Sequence, residues 1–348
     1  MNGFRRICAA VLGAVFFTAG TLKLMDPVGA GLVVEEYLKF FHLRFLLGGS
    51  GFIACVLALL ECFTGAALLT GVFRKVSAIV SGAMTGIFTI ITIILVIAKP
   101  VMDCGCFGEA VHLTHVQTLI KNLVLCALWL LAFMPFRDFG LPQRVKYVSF
   151  SIACISSCLF LLYSSLSIPL RDYTDFKPGT ETGGDVYDPD AQALYFSDAA
   201  GEYADSLARS GKVMLLSSYD VAKLDEKAVK KAADFCSLAE EQGFTVLLLA
   251  SSTPEELERA VMDPVLLGHS FFADRRMLMT LNRSNGGVSY LSDGQIIAKW
   301  SARSLPDKEE LTRINGQAPM DYMLSALNRG RARSQGYFLY VFAVMLLL

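Results

Sequence analysis

Five long apolar segments set the terms for this chain, at about 5–24, 46–71, 76–98, 116–136 and 146–168. Crossing a hydrocarbon core of roughly 30 Å takes about 20 helical residues. Lipid offers no partners for backbone N–H and C=O groups, so such segments are expected to be helices. The first segment follows Arg5 and Arg6 like a signal peptide. It lacks a small-x-small cleavage site and runs into Lys23-Leu24-Met25-Asp26-Pro27, so it reads as a retained helix.

The composition changes near residue 170. Residues 171–330 carry 17 Lys and Arg against 25 Asp and Glu, a net charge of −8, and look like a soluble acidic domain. That surface argues against nucleic acid as a partner. The expected organisation is a membrane domain over 1–136, a fifth transmembrane helix within 137–170, a linker or extended arm over 171–190, an outer domain over 191–330 and an apolar tail over 331–348. The tail is too short to cross a bilayer comfortably, and reads either as half-inserted or as part of a sixth span.

Basic residues orient the bundle. With the N-terminus inside, the inner ends hold Arg5, Arg6, Arg74, Lys75, Arg137, Arg144 and Lys146, and the outer ends hold Lys23, Lys39, Arg44, Lys99 and Lys121. Five spans then place the loop after the third segment and the acidic domain on the same outer side. In a bacterial inner membrane that side is the periplasm, where disulfides persist.

The outer loop contains Cys104-Gly105-Cys106 in polar surroundings, whereas six of the other seven cysteines lie within apolar stretches. A disulfide across one residue closes a very small ring, and strained, accessible disulfides are readily reduced. Cys104 and Cys106 are therefore the candidate catalytic thiols. Glu61 stands in the middle of the second segment, where a carboxylate needs a partner or a function. Lys23 is its candidate cation, unless it snorkels to the interface. His115 and Asn122 lie about two turns apart on one helical face. His112 and His115 with the two thiols form a conceivable Cys₂His₂ set, but the one-residue cysteine spacing is tighter than zinc patterns, and no metal is expected. Glycines 65, 71, 82 and 86 suit close helix contacts.

The run Ala19-Gly20-Thr21-Leu22-Lys23-Leu24-Met25-Asp26-Pro27, then Glu61, Cys104-Gly105-Cys106-Phe107-Gly108, His115 and Lys121-Asn122 resembles the MauE/DoxX group of redox-associated four-helix membrane proteins, over about residues 1–136. The resemblance implies a membrane partner in periplasmic thiol–disulfide transfer, with a quinone as possible electron acceptor near Glu61, Lys23, His115 and Asn122. In the MauE branch it implies help with disulfide formation in a client enzyme. The fifth span and the outer domain are additions to that core.

In the outer domain, Lys212–Ser217 and Phe244–Ala250 read as buried strands, about 225–242 and Thr253–Val261 as helices, and Val288–Leu291 with Gln295–Trp300 as a hairpin around Asp293-Gly294. This succession resembles the thioredoxin fold. The place of its Cys-x-x-Cys is taken by Ser217-Ser218-Tyr219-Asp220-Val221-Ala222-Lys223, and its cis-proline position by Gly286 or Gly287. Cys236, inside a helix, is expected to pack. The fold class expected is thus a membrane all-α bundle, with a four-helix core plus a fifth span, followed by an α/β thioredoxin-like domain that docks a client.

Two functions follow. One is a thiol–disulfide oxidoreductase acting through Cys104 and Cys106. The other is a non-enzymatic maturation factor, MauE-like, whose cysteine pair is a structural staple. A transporter fits poorly, since only one carboxylate lies deep in the bundle and no inverted repeat is visible.

Overall fold

The computed structural model describes residues 3–100, 105–109, 111, 113–136, 144–183 and 192–347. Two units divide the chain: Met1–Ser165 with Gln335–Leu348, and Leu166–Ser334.

Helices α1 (Gly3–Met25), α2 (Pro27–Phe40), α3 (Ser50–Thr70), α4 (Arg74–Ala98), α5 (His115–Phe133) and α6 (Arg144–Leu166) build the first unit, with a short extended segment β1 (Cys106–Glu109) before α5. Among the described residues, five helical stretches are long and apolar enough to cross a membrane: Gly3–Met25, Arg44–Thr70, Arg74–Ala98, His115–Phe133 and Val145–Leu166. Their apolar residues lie on outer faces as well as inside; Ile87, Ile90 and Ile97 on α4 and Ile155, Leu159 and Leu162 on α6 are all exposed. A helix apolar all round belongs in lipid.

Four of these helices close a ring, α1 against α3 and α5, and α4 against α3 and α5. Glycine brings α1 and α3 close together. A Cβ on Gly65 would lie 2.5 Å from the Phe17 backbone N, and one on Gly20 would lie 2.7 Å from Ala58 O. Of the four glycines expected at helix contacts, Gly65 and Gly82 serve there, Gly82 beneath the Trp129 ring. Gly71 instead ends α3 in the left-handed conformation, φ 72°, and a Cβ on Gly86 would meet nothing from another element within 4 Å among the described residues.

Helix α2 has no counterpart in the five expected segments. Its start is fixed by Asp26, whose Oδ1 accepts from Gly29 N at 2.9 Å, with Pro27 in the first turn. Proline there surrenders only an N–H that would lack a helical partner anyway. The apolar tail is helical too. Its residues from Gln335 belong to the first unit, where Tyr337 stacks on Phe160 of α6 at 3.9 Å and Tyr340 OH donates to Ser156 Oγ.

In the second unit the strands are β2 (Phe196–Ser197), β3 (Lys212–Ser218), β4 (Thr245–Ala250), β5 (Ser270–Ala273), β6 (Gly287–Ser292) and β7 (Gln295–Trp300). The helices are α7 (Glu226–Glu241), α8 (Pro254–Val261), α9 (Pro264–Gly268), α10 (Arg275–Leu281), α11 (Lys308–Gly316) and, as far as Ser334, α12 (Pro319–Leu347). The sheet is mixed, of order β2-β5-β4-β3-β6-β7. β3 is parallel to β4 and antiparallel to β6, and β6 and β7 form a hairpin. Alternation along central β3 sends Met214 and Leu216 to one core and Val213 and Leu215 to the other. Residues 179–182 run along the outer edge of β7, with Gly179 N donating to Ile296 O at 2.7 Å and Thr182 N to Gly294 O at 2.7 Å. That pairing covers an edge that would otherwise be open.

Lys299 Nζ meets Asp172 Oδ2 at 2.6 Å on β7. Burial pushes the Asp172 carboxyl up, but the Lys299 ammonium and the Thr174 hydrogen bonds outweigh it, so its pKa falls below the ordinary value. A depressed carboxylate stabilises the fold fully above the unfolded value, about 3.9, and loses that contribution as pH falls through the folded one. Asp172→Asn is expected to destabilise this unit by about 1.5–3 kcal/mol at neutral pH, the range for hydrogen bonds to charged groups. The gap to wild type should narrow below about pH 4. Trp300 fluorescence in a Trp129→Phe background, the chain having two tryptophans, reads out the unfolding.

Candidate functional site

The loop after α4 reaches into the first unit. Gly105 and Gly108 both take left-handed φ, 57° and 63°, and Gly108 N donates to Gly105 O at 3.1 Å. The turn seats β1 against α1 and α2. Space reinforces conformation at Gly105, where a Cβ would lie 2.3 Å from Val33 Cγ1 of α2. Cys106, half-buried, follows directly. Cys104, Asp103 and His112 lie outside the described residues.

Cys106 contributes to the wall of a cavity of about 280 Å³ inside the bundle. One face of α2 and the residue after it supply Ala30, Val33, Val34, Tyr37, Leu38 and Phe41. That spacing of three and four is helical, and it was the available signal for α2. The polar lining includes Lys23 from α1, Glu61 from α3, Thr85 and Thr92 from α4, and Lys121 and Asn122 from α5.

Lys23 does not snorkel. Its Nζ meets Glu61 Oε1 at 2.5 Å, with side-chain exposures of 15% and 3%, and lies 5.8 Å from the centroid of the Phe88 ring. A buried carboxylate needs such a partner. The other carboxylate oxygen, Oε2, is buried with no hydrogen-bond partner among the described residues.

Asn122 donates through Nδ2 to Thr92 Oγ1 at 2.9 Å and to Phe88 O at 3.2 Å. Both amide hydrogens are thereby used to clamp α5 on α4, so Asn122 holds the wall. His115 is not among the lining residues. A capping box formed by Thr114 and Gln117 starts α5 at His115, whose Nε2 lies 3.2 Å from Pro100 O. Seven residues climb about 10 Å along a helix, so His115 and Asn122 share a face at different depths. The grouping of His115 with Lys23, Glu61 and Asn122 is thus not reproduced. No group of three or more His, Cys, Asp and Glu suited to a metal occurs among the described residues.

In the second unit, the segment after β3, residues 217–220, is tied to residues 283–286 by hydrogen bonds. Tyr219 OH donates to Arg283 O at 3.1 Å. Asp220 N donates to Asn285 Oδ1 at 3.0 Å, and Asn285 Nδ2 returns a bond to Asp220 O at 2.8 Å. Gly286 N donates to Ser217 O at 2.8 Å. Cys236 is fully buried, and burial, aided by Glu240 and Asp263, pushes its thiol up to about 12. A thiol so protonated is inert.

A family model described as methylamine utilisation protein MauE matches residues 1–135. No curated protein and no solved structure matches the chain. The matched residues include α1 to α5, the Cys-Gly-Cys loop and every residue that lines the cavity. Over residues 1–135 the chain is thus similar to the MauE family, and its five helices long and apolar enough to cross a membrane fit a multi-pass membrane protein; α6 and a mixed-sheet domain lie beyond the matched region.

Proposed function

We propose that this protein is a membrane thiol–disulfide redox protein of the bacterial inner membrane. Cys104 and Cys106 exchange disulfides with periplasmic clients, and a quinone in the cavity accepts the electrons. The observation that carries this reading is that Cys106 shares one apolar cavity with the buried Lys23–Glu61 pair. Apolar chambers with a few convergent polar groups are the usual form of small-molecule sites.

The electrons balance. A client dithiol reduces the Cys104–Cys106 disulfide, passing two electrons and two protons to the pair. The reduced pair gives the same two electrons and two protons to a quinone, which leaves as quinol while the disulfide re-forms. Lys23 supplies a proton donor at the chamber, and the open Oε2 of Glu61 supplies an acceptor.

The mixed-sheet domain fits the role of a client dock of thioredoxin-like form. The strand order β4-β3-β6-β7, with one parallel pair and a terminal hairpin, supports that form. The excess of Lys and Arg at the inner ends of the spans supports a periplasmic position for the domain.

The family description favours a second reading, a maturation factor for methylamine utilisation whose cysteine pair is a fixed staple. Thiol trapping in growing cells separates the two. With a bulky maleimide, the redox reading expects a mixture of oxidised and reduced Cys104–Cys106 that shifts toward reduced when quinone is depleted. A pair that stays fully oxidised with and without quinone supports the staple.

A further inference from the structure

We infer that the chamber selects the reduced form of its ring ligand: Glu61 Oε2 accepts a hydrogen bond from a ligand hydroxyl, so a quinol is held more tightly than its quinone. This rests on the quinone reading proposed above and states which redox form the chamber prefers and which atom decides it.

The polar groups of the wall carry the inference. Thr85 Oγ1 donates to Ser81 O at 2.7 Å and Thr92 Oγ1 to Phe88 O at 2.6 Å, so both hydroxyl hydrogens are spent on their own helix. Both amide hydrogens of Asn122 are spent on α4. Lys23, Lys121 and Tyr37 also line the chamber. Their N–H and O–H groups can serve a carbonyl or a hydroxyl oxygen alike, so they do not tell quinone from quinol. Glu61 does. Its side chain is 3% exposed and its Oε1 is taken by Lys23 Nζ, while Oε2 is buried with no hydrogen-bond partner among the described residues. A carboxylate paired with an ammonium accepts hydrogen bonds and cannot donate them.

A buried acceptor left unpaired is costly, and the cost falls on the ligand that fails to meet it. A quinone brings only carbonyl oxygens to its reacting positions, and these face Oε2 lone pair to lone pair. A quinol hydroxyl donates to Oε2 while its own oxygen accepts from Lys23, because an ammonium has three N–H donors and Oε1 uses one. Sites built to bond a ligand hydroxyl reject analogues that lack it. A hydrogen bond to a charged group changes affinity by roughly tenfold to a hundredfold. Tenfold tighter binding of the quinol raises the two-electron potential of the bound pair by about 30 mV. The bound quinone is then a better acceptor for thiol electrons than the free one.

The cavity, of about 280 Å³, lies just below the range of about 300–1,000 Å³ for drug-sized ligands, which suits a single substituted ring. The test therefore uses the full-length chain in detergent with tetramethylhydroquinone, tetramethylbenzoquinone and the dimethyl ether of the former. Four methyl groups leave no ring position open to thiol addition. Equilibrium dialysis without oxygen, with protein-free micelles as reference, gives each affinity, and chromatography of bound and free ligand reveals any interconversion. The hydroquinone is expected to bind about tenfold tighter than either the quinone or the ether. In Glu61→Gln, Lys23 donates to the amide oxygen, which puts an amide N–H in the place of Oε2. The preference for the hydroquinone should then vanish or reverse. A hydroquinone that binds wild type no tighter than the quinone or the ether overturns the selection and leaves a quinone site standing. A tenfold preference that survives Glu61→Gln, even if all three ligands bind more weakly, overturns the role of Glu61. No saturable binding of any of the three defeats the quinone reading itself, and the selection with it. Should Glu61→Gln fail to fold, Lys23→Met with Glu61→Leu removes both groups. The same loss of preference is expected there, and a preference that persists overturns the assignment equally.

Discussion

Lys23→Ala is expected to destabilise the membrane domain by about 3–5 kcal/mol, the usual effect of removing one partner from a buried ion pair. The substitution leaves Glu61, 3% exposed, without the ammonium that meets its Oε1 at 2.5 Å, and the second carboxylate oxygen has no hydrogen-bond partner among the described residues. Glu61→Ala strands the ammonium instead, but Lys23 is more exposed, at 15%, and its long stem can swing toward the interface. The loss should therefore be smaller for Glu61→Ala. Lys23→Met with Glu61→Leu removes both charges and fills the space with apolar groups, so stability should return to within about 1 kcal/mol of wild type. Thermal unfolding of the purified protein in detergent measures all three. The double variant also separates structure from chemistry. It should fold yet fail to pass electrons from the reduced thiols to a short-chain quinone. A double variant that stays as unstable as Lys23→Ala would show that the stranded Glu61 charge is not the cause of the Lys23→Ala loss.

The spans were legible because a run of some 20 apolar residues has few alternatives to a membrane helix. The core of the sheet domain was legible for a related reason. β3 and β4 are buried on both faces and read as unbroken apolar runs, and Thr253 with Glu256 announces α8 through a capping box. Short elements escaped. β2 has two residues and β5 four, too few for a period to show, and α10 spends only seven.

The site divides in the same way. The exceptional chemistry of Glu61 and of Cys104-Gly105-Cys106 was visible as polarity in the wrong place. What completes the chamber was not, because α2 is an ordinary amphipathic helix between two stronger signals, and its cavity face carries no polar residue except Tyr37. Lys23 had two outcomes open from sequence, inward or snorkelling, and only the approach of α3 decides between them. His115 shows the converse failure. A shared helical face placed it with Asn122, whereas depth along the helix gives it to Pro100.

Gly105→Ala should have the second large effect, and it should be local. Alanine in the left-handed region costs roughly 1–2 kcal/mol, and the native φ here is 57°. Its Cβ would also meet Val33 Cγ1 at 2.3 Å, and overpacking of this kind adds about 1–3 kcal/mol. The loop can escape both penalties by lifting off α2, which withdraws Cys106 from the cavity wall without unfolding the helices. The expected result is a variant with a near-normal helix signal by circular dichroism and normal melting, but with Cys106 labelled by a water-soluble maleimide several-fold faster than in wild type, each measured in a Cys104→Ser background. Val33→Ala separates the two causes. Combined with Gly105→Ala, it clears the γ-methyl groups but leaves the backbone strained, so slow labelling should return only in part. Full recovery would assign the role of Gly105 to space alone. Unchanged labelling in the single variant would mean that the loop does not depend on this glycine to seat Cys106, and that the cavity wall is held by the contacts of β1 with α1 and α2.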